Sequence, residues 1–263
     1  MPLTFPLTRK SIFQMNKYKF FLLQISLLIF GISSCGALRK KKVAEATAVL
    51  QERRIVESEG WTLQVSKDLD ASLPGELATA LELMANQLRE INAKVPASSV
   101  TELKKVTLWL SADYSGIAPT AEYHPSAGWL KANGRDPLME KGVEFTNIRV
   151  FESETKRMPI FVLHELAHAF HDQVLTGGWG NTEIEAAYQK AKASGSYDAV
   201  EQRDGKGGSI TTKAYAMTNA MEYFAESTES YFSTNDICPF KLDQLLTHDA
   251  TMATLVAQLW GVK

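Results

Sequence analysis

The sequence predicts an α+β fold in one globular domain, a small mixed sheet followed by a mainly helical half. Three observations predict it. Short, β-rich, alternating stretches are confined to the first part, at 61–65, 106–110 and 142–151. Breaker-free apolar runs at helical spacing fill the second part, at 160–175, 182–192 and 219–232. A chain of 263 residues, 45% hydrophobic and 22% charged, is long enough to bury one substantial core.

In chain order, residues 1–34 resemble an export signal. Arg9, Lys10, Lys17 and Lys19 make a basic start, and no Asp or Glu precedes Glu45. The apolar run 20–32 is thirteen residues long, short of the roughly 20 that span a bilayer as a helix. It ends in Ile32-Ser33-Ser34-Cys35, which resembles a bacterial lipobox. That resemblance implies cleavage before Cys35, acylation of Cys35, and attachment to the cell envelope, at the outer membrane or the periplasmic face. An ordinary signal peptide or an uncleaved anchor with an incidental cysteine is the alternative, and Met15 offers a second start. Losing 1–34 lowers the basic count from 28 to 24 against 30 acidic residues, a net of −6. That balance gives no reason to expect a nucleic-acid partner. With Cys35 acylated only Cys238 remains, so an internal disulfide is excluded.

The charged, alanine-rich stretch 35–57 reads as a tether, and 58–263 as the globular domain. A strand at 61–65 leads to a helix at 75–94, opened by Pro74 and patterned by Leu77, Leu81, Met84 and Leu88. A second strand follows at 106–110. Residues 112–141, rich in Gly, Pro and aromatics, read as loops or a hairpin, and 142–151 as a third strand. The run 160–175 is the clearest helix, with Pro159 suited to its first turn and Gly177-Gly178 ending it. A helix at 182–192 precedes a glycine-rich, charged, mobile excursion at 194–211. Helices at 219–232, 240–246 and 251–260 complete the chain.

The chemistry concentrates in His164-Glu165-Leu166-Ala167-His168. On a helix, positions i and i+4 share a face about 6 Å apart along the axis. Two imidazoles there can reach one ion at the roughly 2.0–2.1 Å that zinc–nitrogen bonds require. Glu165 lies about 100° round the helix, near such an ion without being its ligand, where it can act as general base. Three fixed letters in five arise by chance in roughly one chain in a hundred of this length, so the context has to decide. Here the flanks are apolar on nearly every side, and buried histidines and a buried glutamate need partners. His171 shares the face of His168 but lies about 10.5 Å along the axis from His164. It reads, with Asp172, as packing, ligand-supporting or substrate-facing.

A catalytic zinc takes three protein ligands and keeps one open position. The best third ligand is Glu222, at the head of an acidic stripe Glu222, Glu226, Glu229. Glu222 could instead close a capping box with Asn219, or the stripe could simply be solvated. Glu226 is placed to accept from a ligand histidine's other ring nitrogen. Zn²⁺ suits two imidazoles and a carboxylate; manganese, cobalt and nickel remain open on ligand type. His124 and His248 are unassigned.

The two blocks, His164 to His168 and Glu222-Tyr223-Phe224-Ala225-Glu226, together resemble the gluzincin metallopeptidases, and are similar to the catalytic domain of anthrax lethal factor and its relatives. The resemblance covers about 30 residues. It implies a zincin-like domain with the zinc helix at its centre and a peptide or protein substrate. It also implies Glu222 as third ligand, Glu226 as its support and Tyr215, seven residues before Glu222, as donor to the oxyanion. A core aromatic is the plainer reading of Tyr215. In such enzymes an edge strand before the zinc helix holds the substrate, and 142–151 occupies that position. The expected activity is hydrolysis of peptide bonds with Glu165 as general base. Another envelope amide as substrate, or a catalytically silent binding protein with a structural zinc, are the alternatives.

Overall fold

The computed structural model describes residues 48–263. The signal-like segment, Cys35 and most of the tether lie outside the described residues. Strands β1 (Arg53–Ser58) and β2 (Trp61–Ser66) form an antiparallel hairpin. Its two loop residues, Glu59 and Gly60, have φ of 52° and 91°, the positive pair that lets a two-residue turn follow the strand twist. Residues 53–57, expected to end the tether, are therefore part of the sheet. Their charge fits an edge strand that is half exposed along its length.

On β2, Trp61, Leu63 and Val65 alternate inward. Helices α1 (Lys67–Ser72), α2 (Pro74–Lys94) and α3 (Ala97–Leu103) then cross to β3 (Leu108–Leu110). Helix α2 starts on Pro74, whose missing N–H costs nothing in a first turn, and buries Leu77, Ala80, Met84, Leu88 and Ile91. Next come β4 (Ala121–Tyr123), α4 (Ala127–Ala132), β5 (Val143–Phe145) and α5 (Phe151–Arg157).

The sheet order is β1-β2-β3-β5-β4, with β2, β3 and β5 parallel and the two edges antiparallel. The third strand expected at 142–151 is thus only three residues long, and it is not an edge. Past Phe145 the chain turns through Ile148–Val150 into α5, and Ile148 and Phe151 enter the core instead of alternating. The edge position belongs to β4. One sheet face carries Leu63, Leu108, Val143 and Phe145 into the main core. The other carries Trp109, covered by Leu130 and Met139.

The second half holds α6 (Phe161–Gln173), α7 (Thr182–Ser194), strands β6 (Val200–Arg203) and β7 (Ser209–Thr212), α8 (Ala220–Phe232), α9 (Leu242–His248) and α10 (Ala250–Trp260). The excursion expected at 194–211 contains an ordered hairpin, β6 with β7. Its turn is organised by Asp204, whose Oδ1 accepts from the N–H groups of Lys206 and Gly208. Helix α6 is buried almost all round and packs chiefly on α8. Trp260 locks the pair: its ring stacks on Phe170 at 4.1 Å and lies parallel to Phe224 at 6.1 Å, while its Nε1 donates to Thr228. Among the described residues no helix is long and apolar enough to cross a membrane.

Candidate metal centre

Helix α6 presents His164 and His168 on one face, their ring centroids 4.9 Å apart. Helix α8 brings Glu222 against them: Glu222 Oε2 lies 3.2 Å from His164 Nε2 and 3.4 Å from His168 Nε2. The three residues are buried and offer one ligand atom each, all within 4.8 Å of one another. The two uses weighed for Glu222 are compatible. Asn219 Oδ1 caps the helix by accepting from Glu222 N at 2.9 Å, while the Glu222 side chain turns to the histidines.

The donor set fits a divalent cation. Two neutral imidazole nitrogens and one carboxylate oxygen match the ligand types of a borderline metal such as zinc. Glu222 is held well below the usual carboxylate range; burial opposes this, and His168 and His164 overcome it. His164 is pushed well above its ordinary value: burial opposes this, and the bond to Glu222 with the nearby charges of Glu229 and Glu165 outweighs it. A cation satisfies the same carboxylates without the proton.

Behind His164 lie two more carboxylates. Its Nδ1 is 3.6 Å from Glu226 Oε1 and 3.7 Å from Glu229 Oε2. Glu226 was the expected support, and Asn235 Nδ2 fixes its other oxygen at 2.7 Å. Glu229, at the tail of the stripe, is 1% exposed, and neither of its oxygens has a hydrogen-bond partner. Its spacing from Glu226 put it on that face, but only the packing shows that it reaches His164. Burial lifts Glu226 to about 8, against the pull of His164, and Glu229 is raised as well, burial again leading.

Glu165 is partly exposed as a residue, with its carboxyl turned inward between α6 and β4. Burial of its carboxyl, opposed by His164 and His168 and reinforced by Glu222 and Glu122, raises it to about 7. Its Oε2 accepts from the main-chain N–H of Tyr123 on β4 at 3.0 Å. Tyr215 sits in a short turn, Tyr215–Met217, that packs on α8. Burial, the charges of Glu222, Glu165 and Glu226, and a bond to Glu222 all raise its phenol, so it stays protonated and able to donate.

The other candidates lie apart. His171 is buried against the Phe224 ring at 5.2 Å with both ring nitrogens unpartnered, so it is packing. Asp172 accepts from Tyr123 OH and Lys141 Nζ, both at 2.6 Å, tying the end of α6 to the edge strand. His248 packs on Tyr197. His124 turns away from the site into a buried network behind β4. There Glu144 takes Arg135, His124 Nε2 at 2.9 Å and Tyr114 OH at 2.8 Å. No short motif marks that network, because its members come from β5 and from separate positions in the 113–135 stretch.

The chain matches no protein-family model, no curated protein and no solved structure.

Proposed function

We propose that this chain is a zinc-dependent metalloendopeptidase with a gluzincin-like, zincin-type catalytic domain. The observation that supports it most is the convergence of His164, His168 and Glu222 beside a partly exposed Glu165. A purely structural zinc would need neither Glu165 nor a phenol at Tyr215.

When bound, zinc supplies Lewis acidity, lowering the pKa of water and polarising a carbonyl. The chain's own residues do the rest. Glu165, with a pKa of about 7, is poised to accept a proton from the attacking water near neutral pH and return it to the leaving amine. Tyr215, kept neutral by its surroundings, donates its O–H to the oxygen on which charge develops. Glu226 and Glu229 face the Nδ1 of His164 and supply the negative charge behind its ring.

The substrate is a peptide or protein main chain in extended form. Strand β4 is the edge nearest α6, and in this reading it accepts that chain as an added strand, the task expected of 142–151. The pairing of Thr146 N with Thr120 O, and of His124 N with Gly142 O, turns the main-chain groups of residues 120, 122 and 124 to β5. Those of Ala121 and Tyr123 turn to the open side, where Glu165 takes the Tyr123 N–H. Acylation of Cys35 would hold this domain at the bacterial envelope.

The test is Glu165→Gln in the purified chain, assayed on a mixed peptide library. The variant should keep one zinc per chain and lose hydrolysis. A wild type that binds zinc and cuts nothing would point to the binding-protein alternative. Mass analysis of the membrane fraction checks the anchor: a diacyl or triacyl Cys35 is expected, and an unmodified, freely secreted chain would refute it.

A further inference from the structure

We infer that the main-chain N–H of Tyr123 is a positioning group for Glu165, so that the open edge of β4 is divided between the general base and the substrate. The inference rests on the peptidase reading for its catalytic consequence, though not for the contact itself. In an antiparallel pair, alternate residues turn both main-chain groups to the neighbour and the residues between turn them away. Tyr123 is one of the latter, and its N–H would face open space on an unadorned edge. Instead it meets Glu165 Oε2 at 3.0 Å. A carboxylate on a free side chain samples several rotamers. One held at a single oxygen by a fixed amide keeps its other oxygen aimed at the reacting atoms.

The amide is itself well fixed. One residue on, His124 is 1% exposed, donates its N–H to Gly142 O and places its ring on Glu144. Arg135, 2% exposed and just past α4, bridges to the same Glu144. The Tyr123 ring is tied by its hydroxyl to Asp172 of α6 and packs edge-on against Trp179. Strand and helix are therefore joined a second time, through Asp172, beside the Glu165 contact. With the Tyr123 N–H occupied, an added substrate strand can pair only through Ala121 N–H, Tyr123 C=O and the second lone pair of Ala121 C=O, which already accepts from Thr120 Oγ1 at 3.0 Å. This fixes its register relative to the metal.

Amide hydrogen exchange on the full chain tests the contact without any substrate. The Tyr123 amide should be protected, and Glu165→Ala should speed its exchange by about 10-fold or more while leaving His124 unchanged. A Tyr123 amide that exchanges freely in the wild type, or equally fast in both proteins, would overturn the inference. For the catalytic consequence, Tyr123→Pro is compared with Tyr123→Ala. Both lose the ring, and only proline lacks the N–H, which an edge position facing outward tolerates. Relative to alanine, proline should lower kcat about 10- to 100-fold with KM within about two-fold and zinc content unchanged. Equal kcat in the two variants would refute the positioning role. Failure of the peptidase reading would appear differently, as no hydrolysis by any of the proteins while the exchange pattern stands.

Discussion

Replacing Glu222 by Gln tests the proposal that the two helices share a cation. The Glu222 carboxylate meets both histidine Nε2 atoms through one oxygen, at 3.2 and 3.4 Å, so on the proposed ligand set the substitution removes one of three protein ligands and a full negative charge. Structural zinc sites with four ligands bind with about 10–16 kcal/mol. An equal share is then about 3 kcal/mol per ligand, or roughly 150-fold in affinity. The fold should survive, because the Asn219 cap uses the main-chain N–H of residue 222 and not its side chain. Competition with a fluorescent chelator at pH 7.5 measures the affinity, and circular dichroism checks the fold. A folded variant that binds zinc as tightly as the wild type would refute the placement of Glu222 in the metal's coordination.

Zinc affinity should also rise with pH, by up to about tenfold per unit, until the pH passes the raised pKa of His164. Below that value the ring in the chelator-treated protein holds a proton that the metal must displace; a flat profile in chelator competition would contradict the raised value. Glu229→Gln should weaken zinc binding by about 10- to 100-fold, as loss of a carboxylate behind a ligand histidine does, and an unchanged affinity would remove Glu229 from that role. His171, lowered to about 4 chiefly by burial, stays neutral while the unfolded chain takes up a proton. Native stability should therefore fall as pH drops from about 6.5 to 4. His171→Leu should recover about 2 kcal/mol at pH 5 and little at pH 8 by urea titration. Equal effects at the two pH values would contradict it. Tyr215→Phe should lower kcat about 10²- to 10³-fold with little change in KM, and a wild-type kcat would leave Tyr215 as a core aromatic.

The parts legible in sequence were those written in one continuous segment. Helix α6 announced itself by sixteen residues without a breaker and by apolar positions on every side, which only a central helix can bury. On α8, the stripe Glu222, Glu226, Glu229 among aromatics offered the face that the structure turns to His164. The missed parts depend on partners distant in sequence. Strand β1 is charged because it is an edge, and nothing in 53–58 distinguishes an edge strand from a tether until its hairpin partner is placed. Strand β4 is three residues long, too short for alternation to register. Its importance comes from a main-chain donor, which leaves no mark on residue type. The Glu144, Arg135, His124 and Tyr114 network likewise joins residues spread over 31 positions, from Tyr114 to Glu144. Position 142 is restricted for a related reason: a Cβ on Gly142 would come within 2.5 Å of Trp109 Nε1, so the entry to β5 needs a residue without a side chain.

The most direct measurement is X-ray absorption at the zinc edge on the zinc-loaded full chain, repeated on Glu222→Gln. Two imidazole nitrogens at about 2.0–2.1 Å and a carboxylate oxygen at about 2.0–2.2 Å are expected in the wild type, the carboxylate contribution disappearing in the variant. A spectrum with a sulfur neighbour from Cys238, or one that the Glu222 substitution leaves unaltered, would contradict the account.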